Sequence, residues 1–266
     1  QRARETFEKI GTKIIELPSY QEHDRITADT QAVTHVGFEA MGTAWKNMNS
    51  FPWENTTYVG GIDNVKILMC LRIYGWKSHV YAGLAIHNPL AREQIRQYAK
   101  SESDLFGLMI QEDEHQFRER IQKAREAVFN SRNSPVLLDD RAMGEFSLGV
   151  QPEQRTPNSH LSLLSMADAW HQAGVNPYGN LICQTPPFRL RLGIVEYLFR
   201  NPELLEESIK TALFDKRIRR DDLEFHTAVR EWSSIIGNGD VSGYHRQFEA
   251  TKTFFADKLP EGMRKS

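Results

Sequence analysis

Residues 22–45 read EHDRITADTQAVTHVGFEAMGTAW, and this stretch decides the fold of the chain. Its second half, from Val36 to Ala44, is unusually small and apolar, which predicts one long helix that other helices can approach closely. His23 and His35 are 12 residues apart. At a little over three helical turns, both imidazoles lie on roughly one face, about 18 Å apart. The pattern leaves two interpretations open, a core helix with two hydrogen-bonded histidines or one wall of a site.

The composition is that of an ordinary globular protein. The chain has 266 residues, of which 40% are hydrophobic and 26% are charged, enough for one large domain or two smaller ones. A net charge of −2 gives no general attraction to nucleic acid or to an anionic membrane, and no run of 18 apolar residues is present. Cys70 and Cys183 have neither disulfide nor metal-site spacing, which suits a reducing cytoplasm.

Helical patterns dominate the rest of the chain. The exception is Thr12–Leu17, whose β-branched and apolar residues before Pro18 predict a strand, expected to belong to a sheet outside this sequence. A second helix is predicted from Val65 to Ile86, and Asn88-Pro89 starts a new one. Residues 131–157, with three prolines, are predicted to be a linker.

The regions on either side of the linker resemble each other. THVGFEAMGTAW begins at Thr34 and SHLSLLSMADAW begins at Ser159, a shift of 125 residues, and Asn88-Pro89 recurs as Asn201-Pro202. We interpret this as a duplicated helical unit, with residues 21–130 and 158–266 packing as an internal pseudo-dimer. The first copy alone keeps both histidines and Arg72. We therefore expect the site in the first copy and a mainly structural role for the second.

Two further patterns carry less information. The run Glu112-Asp113-Glu114-His115 contains a Glu-x-x-His spacing, but no second copy completes a metal site. The basic run Lys216–Arg220 is most simply a solvated helix face. Neither pattern predicts a metal site.

Several segments resemble the prephenate dehydrogenases of tyrosine biosynthesis. They are Glu22-His23-Asp24, His35, Arg72 within Met69–Ile73, and the segment Pro186–Ile209, which resembles the central helix of that family. The tandem arrangement is similar to the longer, fungal-type enzymes. The resemblance implies an all-α bundle of two tandem units, like the helical domain of prephenate and 6-phosphogluconate dehydrogenase-like enzymes.

The resemblance also implies a reaction, the oxidative decarboxylation of prephenate to 4-hydroxyphenylpyruvate with NADP, or less commonly NAD. It assigns Arg72 to the ring carboxylate of the substrate and places His35, His23 and Lys66 in the same pocket. No GxGxxG follows a strand, and the His-Pro-x-x-Gly motif with the catalytic histidine of the family is missing. Residues 1–20 look like the last helix and strand of a Rossmann domain. The chain is thus expected to be a C-terminal part that contains no catalytic residue and is inactive alone.

Other implications concern partners and rival functions. The resemblance implies an N-terminal Rossmann domain, tyrosine as an inhibitor, and a homodimer or internal pseudo-dimer, with no metal, nucleic acid or membrane partner. Two alternatives stay open. One is an arogenate or related cyclohexadienyl dehydrogenase. The other is a non-catalytic helical interaction module, which would place His35 and Arg72 in solvent rather than in one cleft.

Overall fold

The computed structural model describes residues 2–12, 14–54, 60–129, 136–147, 156–179 and 186–258. These residues form α-helices and short 3-10 turns and include no strand, so the prediction of an all-α fold is confirmed. The helices are α1 (Arg2–Lys9), α2 (Tyr20–Met48), α3 (Gly61–Tyr74), α4 (Ser78–His87), α5 (Pro89–Gln111), α6 (Glu114–Phe129), α7 (Asp140–Phe146), α8 (Leu161–Ala173), α9 (Pro186–Arg200), α10 (Pro202–Phe214), α11 (Arg219–Gly237) and α12 (Val241–Phe255).

The long helix predicted at the start of the chain is α2, and it lies at the centre of the bundle. The Ser19 hydroxyl accepts a hydrogen bond from the Glu22 backbone N–H at 3.2 Å and begins the helix, which ends where Asn49 takes a left-handed conformation. Nearly every residue from Ala28 to Trp45 is buried, because α3, α5 and α11 pack around the helix. A helix covered on all sides must be apolar or small on all sides, as this one is.

Two glycines of α2 allow the closest of these approaches. A Cβ atom at Gly42 would overlap the fully buried ring of Tyr74 on α3, and one at Gly37 would overlap Met166 on α8. The Tyr74 hydroxyl donates to the Glu39 carbonyl oxygen at 2.6 Å, so its ring cannot swing aside without losing that bond. The glycines therefore set the distance between α2 and its neighbours.

We expect Gly42→Ala to lower the free energy of unfolding by about 1–3 kcal/mol, because the new methyl group forces the Tyr74 ring out of a filled core. Gly107→Ala on α5 is the matched control, since a Cβ there meets no atom within 4 Å. Alanine is the better helix former, so the control should be neutral or slightly stabilising. Urea denaturation of the two variants measures the difference, and equal stabilities would contradict the packing described here.

The predicted helix restarts at the two Asn-Pro pairs are confirmed. The Asn88 side chain accepts from the Leu90 and Ala91 backbone N–H groups and begins α5, with Pro89 as the first helical residue. Asn201 accepts from the Leu204 N–H and begins α10 in the same way. In both cases proline occupies the position where a missing N–H costs nothing.

Two predicted elements in the first third of the chain are wrong in detail. Residues 14–17 form no strand, because a strand needs a hydrogen-bonded partner and none of the described residues supplies one. The helix expected from Val65 to Ile86 is two helices, since α3 ends at Tyr74 and α4 begins at Ser78. The break at Gly75–Lys77 turns the chain, so that α3 and α4 form two walls of the pocket described below.

The linker prediction is wrong for residues 136–147, the longest part of that range with described structure. This segment includes α7 and packs against α3 and α9. Leu138 is buried beside Gly193, where a side chain would collide with it, and the Leu137 N–H donates to Glu196 Oε2 at 2.7 Å. A buried leucine and a paired backbone N–H hold the segment against the bundle.

The two halves of the chain share one core. Helix α8 packs on α5 and α6, and α11 packs on α2 and α5, so helices from both predicted repeats interleave. The first helices of the two repeats differ in length, 29 residues in α2 and 13 in α8. The tandem repeat and the pseudo-dimer are not confirmed and stay predictions, as does the division into residues 1–20, 21–130 and 158–266.

Candidate functional site

A pocket of about 290 Å³ opens between α2, α3, α4 and α9. That is near the lower end for sites that bind small molecules. Most of its wall is apolar and comes from α3, α4 and α9. The polar side chains that face it are Gln31, His35, Arg72, Tyr81 and Arg191. No acidic side chain is among its lining residues, so the pocket suits an anionic ligand with an apolar ring.

His35 lies in the wall formed by α2 and is 9% exposed. Its ring meets the Tyr81 ring edge to face, with centroids 5.0 Å apart. Burial, and then the charge of Arg191, hold the pKa of His35 well below its usual value, so the imidazole is neutral at neutral pH. Its Nδ1 atom is buried and makes no hydrogen bond to any residue the structure describes. A neutral imidazole with hydrogen-bonding capacity unused therefore borders the pocket.

Arg72 lies at the rim, on the outward face of α3. Its guanidinium is exposed and stands over the Trp76 ring, one turn further along, at 5.9 Å from the ring centroid. It forms no ion pair with an acidic side chain in the described part of the chain. The prediction that Arg72 and His35 share one pocket is consistent with this geometry, since both line it.

Arg191 was not predicted, and it comes from α9 in the second half of the chain. It is 5% exposed, and its only hydrogen bond within the described structure runs from Nε to the Pro187 carbonyl oxygen at 3.2 Å. Burial lowers the pKa of Arg191 to about 10, with a smaller contribution from the nearby positive charge of Arg72. The side chain is still a cation at neutral pH, and no carboxylate of a described residue pairs with it.

Glu39 lies behind the pocket, one helical turn after His35, and is fully buried. The Tyr244 hydroxyl donates to its Oε1 atom at 2.6 Å. Burial raises the pKa of Glu39 to about 8, although this hydrogen bond and the charge of Arg191 oppose the shift. Glu39 is therefore mostly protonated at neutral pH and leaves the charge of Arg191 largely uncompensated.

The raised pKa of Glu39 predicts how stability depends on pH. In the unfolded chain this carboxyl ionises near its ordinary value of 4.5, whereas in the folded protein it keeps its proton up to about pH 8. Over this range the folded state binds more protons, so the stabilising contribution is present at low pH and is lost as pH rises. We expect Glu39→Gln to lose less stability than the parent protein between about pH 5 and pH 8. Urea titrations at both pH values measure this, and equal losses would show that Glu39 is ionised in the fold.

Lys66 lies outside the pocket, contrary to the prediction that placed it with Arg72. It is 2% exposed, and its Nζ atom lies 2.6 Å from His160 Nδ1 and 3.3 Å from Asp63 Oδ1. The Asn158 side-chain amide also donates to Asp63, at 3.1 Å. Burial lowers the pKa of Lys66, while Asp63 opposes that shift. This buried cluster joins α3 to the residues that precede α8.

The other predicted groups are also outside the pocket. His23 is exposed in the first turn of α2, with its Nδ1 atom 3.3 Å from Asp24 Oδ1. Asp113 accepts from the Gln116 backbone N–H and begins α6, and Arg217 pairs with Asp215. No group of three or more His, Cys, Asp or Glu side chains in the described ranges could hold a metal ion. No helix in those ranges is both long and apolar enough to cross a membrane.

A sequence signal for Arg191 did exist. The buried face of α9 includes Phe188, Leu192 and Val195, and Arg191 falls on the same face at helical spacing. An arginine on an apolar stripe requires a partner inside the fold. The sequence could not show that α9 packs beside α3, so it could not place this arginine next to Arg72.

The family comparison decides how this pocket is interpreted. Residues 32–266 match the model of the 6-phosphogluconate dehydrogenase C-terminal domain family. The chain belongs to this family. Both walls of the pocket, including His35, Arg72 and Arg191, lie within the matched residues, so the pocket is part of the family domain.

Curated relatives place the chain more closely. It is 46% identical to the prephenate dehydrogenase [NADP(+)] of Saccharomyces cerevisiae over 97% of the chain and 60% of that protein. It is 45% identical to the probable prephenate dehydrogenase [NADP(+)] of Schizosaccharomyces pombe over 92% of the chain and 58% of that protein. A probable arogenate/prephenate dehydrogenase of Methanocaldococcus jannaschii is 24% identical over 52% of the chain and 30% of that protein.

The fungal relatives are longer than this chain, which spans about 60% of their length. No solved structure matches the chain. The expected membership of the prephenate dehydrogenase family, with the longer fungal-type enzymes as close relatives, is confirmed.

Proposed function

We propose that this chain is the helical, substrate-binding part of an NADP-dependent prephenate dehydrogenase. The observation that carries the proposal is one pocket with two arginines, Arg72 and Arg191, neither paired with an acidic side chain of the described residues. Prephenate is a six-membered ring with two carboxylates, which two such cations and an apolar wall would bind. The 46% identity to a prephenate dehydrogenase [NADP(+)] supports the same substrate.

The proposed reaction converts prephenate and NADP⁺ into 4-hydroxyphenylpyruvate, CO₂ and NADPH. The C–H bond at ring carbon C4 breaks and its hydride goes to the cofactor. The C–C bond to the ring carboxylate then breaks, its electron pair enters the ring, and the 4-hydroxyl becomes a phenol. Formation of the aromatic ring supplies most of the driving force, so the protein mainly binds and orients the substrate.

The residues of this chain would contribute orientation rather than proton or hydride transfer. The arginines would bind the carboxylates, and the neutral His35 imidazole would hydrogen-bond the substrate or a group next to it. The described helices contain no strand followed by a glycine-rich turn, so they do not form a dinucleotide site. We assign the cofactor, and by resemblance the catalytic histidine, to a Rossmann domain of the longer protein.

Arogenate is the alternative substrate, and the pocket disfavours it. Arogenate carries an ammonium group on its side chain, which requires an acceptor. The lining residues include no carboxylate, and the nearest buried carboxyl, Glu39, is mostly protonated at neutral pH. A non-catalytic interaction module is also disfavoured, because His35 is buried and shares a pocket with Arg72.

Steady-state turnover by the full-length protein tests the proposal. We expect equal amounts of NADPH, CO₂ and 4-hydroxyphenylpyruvate from prephenate, and a kcat/KM for arogenate lower by about tenfold or more, the factor that an unpaired buried ammonium would cost. A protein that binds neither compound, or that prefers arogenate, would contradict it. Tyrosine inhibition, dimer formation, a cytoplasmic location and inactivity of the chain alone stay predictions of the same proposal.

A further inference from the structure

The uncompensated charge of Arg191 is the feature that the proposed reaction does not by itself explain. The side chain is only 5% exposed, and its two terminal nitrogens make no hydrogen bond to a described residue. Removing an ion from water costs several kcal/mol unless a partner of opposite charge replaces the water. Glu39 is the nearest buried acid with an influence on Arg191, and it is mostly protonated at neutral pH. A ligand anion would supply the missing partner.

The two arginines differ in exposure. Arg72 is at the rim, in water and against the face of Trp76. Arg191 is at the bottom of the pocket, held by the Pro187 carbonyl. A carboxylate at Arg191 would be bound in a dry environment, where ionic contacts are strong, and one at Arg72 in a screened environment, where they are weaker.

The two carboxylates of prephenate also differ, in their fate. The ring carboxylate gives up its electron pair and leaves as neutral CO₂, whereas the side-chain carboxylate keeps its charge from substrate to product. A strong contact to the departing group would stabilise the substrate more than the transition state and so slow the reaction. A strong contact to the retained group binds both states equally and carries no such penalty.

From these two differences we propose that Arg191 binds the side-chain carboxylate of the 2-keto acid and that Arg72 binds the ring carboxylate. This assignment rests on the proposed function. It makes the second half of the chain part of the substrate site, in place of the mainly structural role expected from the sequence. It also lets CO₂ leave past Arg72 at the open end of the pocket.

The product separates the two contacts, because 4-hydroxyphenylpyruvate keeps the side-chain carboxylate and lacks the ring carboxylate. The full-length enzyme is assayed for the KM of prephenate and for inhibition by 4-hydroxyphenylpyruvate. We expect Arg191→Met to weaken both by a similar factor of about ten or more. Arg72→Gln should weaken prephenate by a similar factor and change the inhibition constant of the product less than about twofold.

The outcomes distinguish this assignment from the proposed function. Product inhibition that depends on Arg72 and not on Arg191, or equally on both, overturns the assignment while leaving the enzyme a prephenate dehydrogenase. A wild-type protein without activity on prephenate overturns the proposed function as well. Arg191→Lys, which keeps a cation but loses the planar fork, should restore part of the affinity.

Thermal unfolding separates a ligand-binding role from a structural one. Since Arg191 has no carboxylate partner in the described fold, replacing it with an apolar side chain of similar size removes an unfavourable burial. We expect the unfolding midpoint of Arg191→Met, without ligand, to equal or exceed that of the wild type. A lower midpoint, or a variant that does not fold, would show that Arg191 is a structural residue and overturn the assignment.

Discussion

Arg72→Ala in the full-length enzyme should raise the KM for prephenate about tenfold or more, with a smaller effect on kcat. A charge-assisted contact to a carboxylate contributes roughly 1.5–3 kcal/mol, which corresponds to a factor of about ten to one hundred in binding. The effect falls on KM because the contact is already made in the bound substrate and weakens as the carboxylate becomes CO₂.

Arg96→Ala is the matched control for Arg72→Ala. Arg96 is an exposed arginine of α5 that pairs with Glu93 and does not line the pocket. Its replacement should leave both kinetic constants unchanged. An Arg72→Ala enzyme with the KM of the wild type would remove Arg72 from the substrate site and leave its contact with Trp76 as its role.

Lys66→Ala should lower the free energy of unfolding by about 3–5 kcal/mol, one of the largest single effects expected in this protein. The loss has two causes. Asp63 stays buried without its cation, and the space that the lysine stem filled becomes a cavity. The change should also loosen the residues before α8, because Lys66 Nζ lies 2.6 Å from His160 Nδ1.

Two further variants separate this structural effect from substrate binding. Lys123→Ala removes an exposed lysine paired with Glu119 and should change stability by no more than about 0.5 kcal/mol. Lys66→Met keeps most of the packing volume, and the folded fraction should bind prephenate with the wild-type KM. A raised KM in Lys66→Met, measured where the protein is folded, would return Lys66 to the substrate site.

The sequence could predict the elements whose causes are local. The helix over residues 22–45 follows from small and apolar residues, and the starts of α5 and α10 follow from Asn88-Pro89 and Asn201-Pro202. His35 and Arg72 could be named because short motifs carry the family resemblance. Each of these signals lies within a few turns of one helix, so no knowledge of packing was needed.

What the sequence could not predict depends on contacts between distant residues. Lys66 has its partner 94 residues away at His160, and nothing in either segment shows that the two meet. Arg191 stands beside the pocket only because α9 packs against α3. The strand predicted at Thr12–Leu17 has the right residue types, but a strand forms only beside a partner, and the described residues offer none.

The central claim is that one pocket, built by both halves of the chain, binds the substrate of a prephenate dehydrogenase. A crystal structure of the full-length enzyme with NADP⁺ and 4-hydroxyphenylpyruvate tests it most directly. We predict the aromatic ring between α2 and α4 beside His35, and the side-chain carboxylate within hydrogen-bonding distance of the Arg191 guanidinium. A product bound outside this pocket, with His35, Arg72 and Arg191 free of ligand contacts, would contradict the claim.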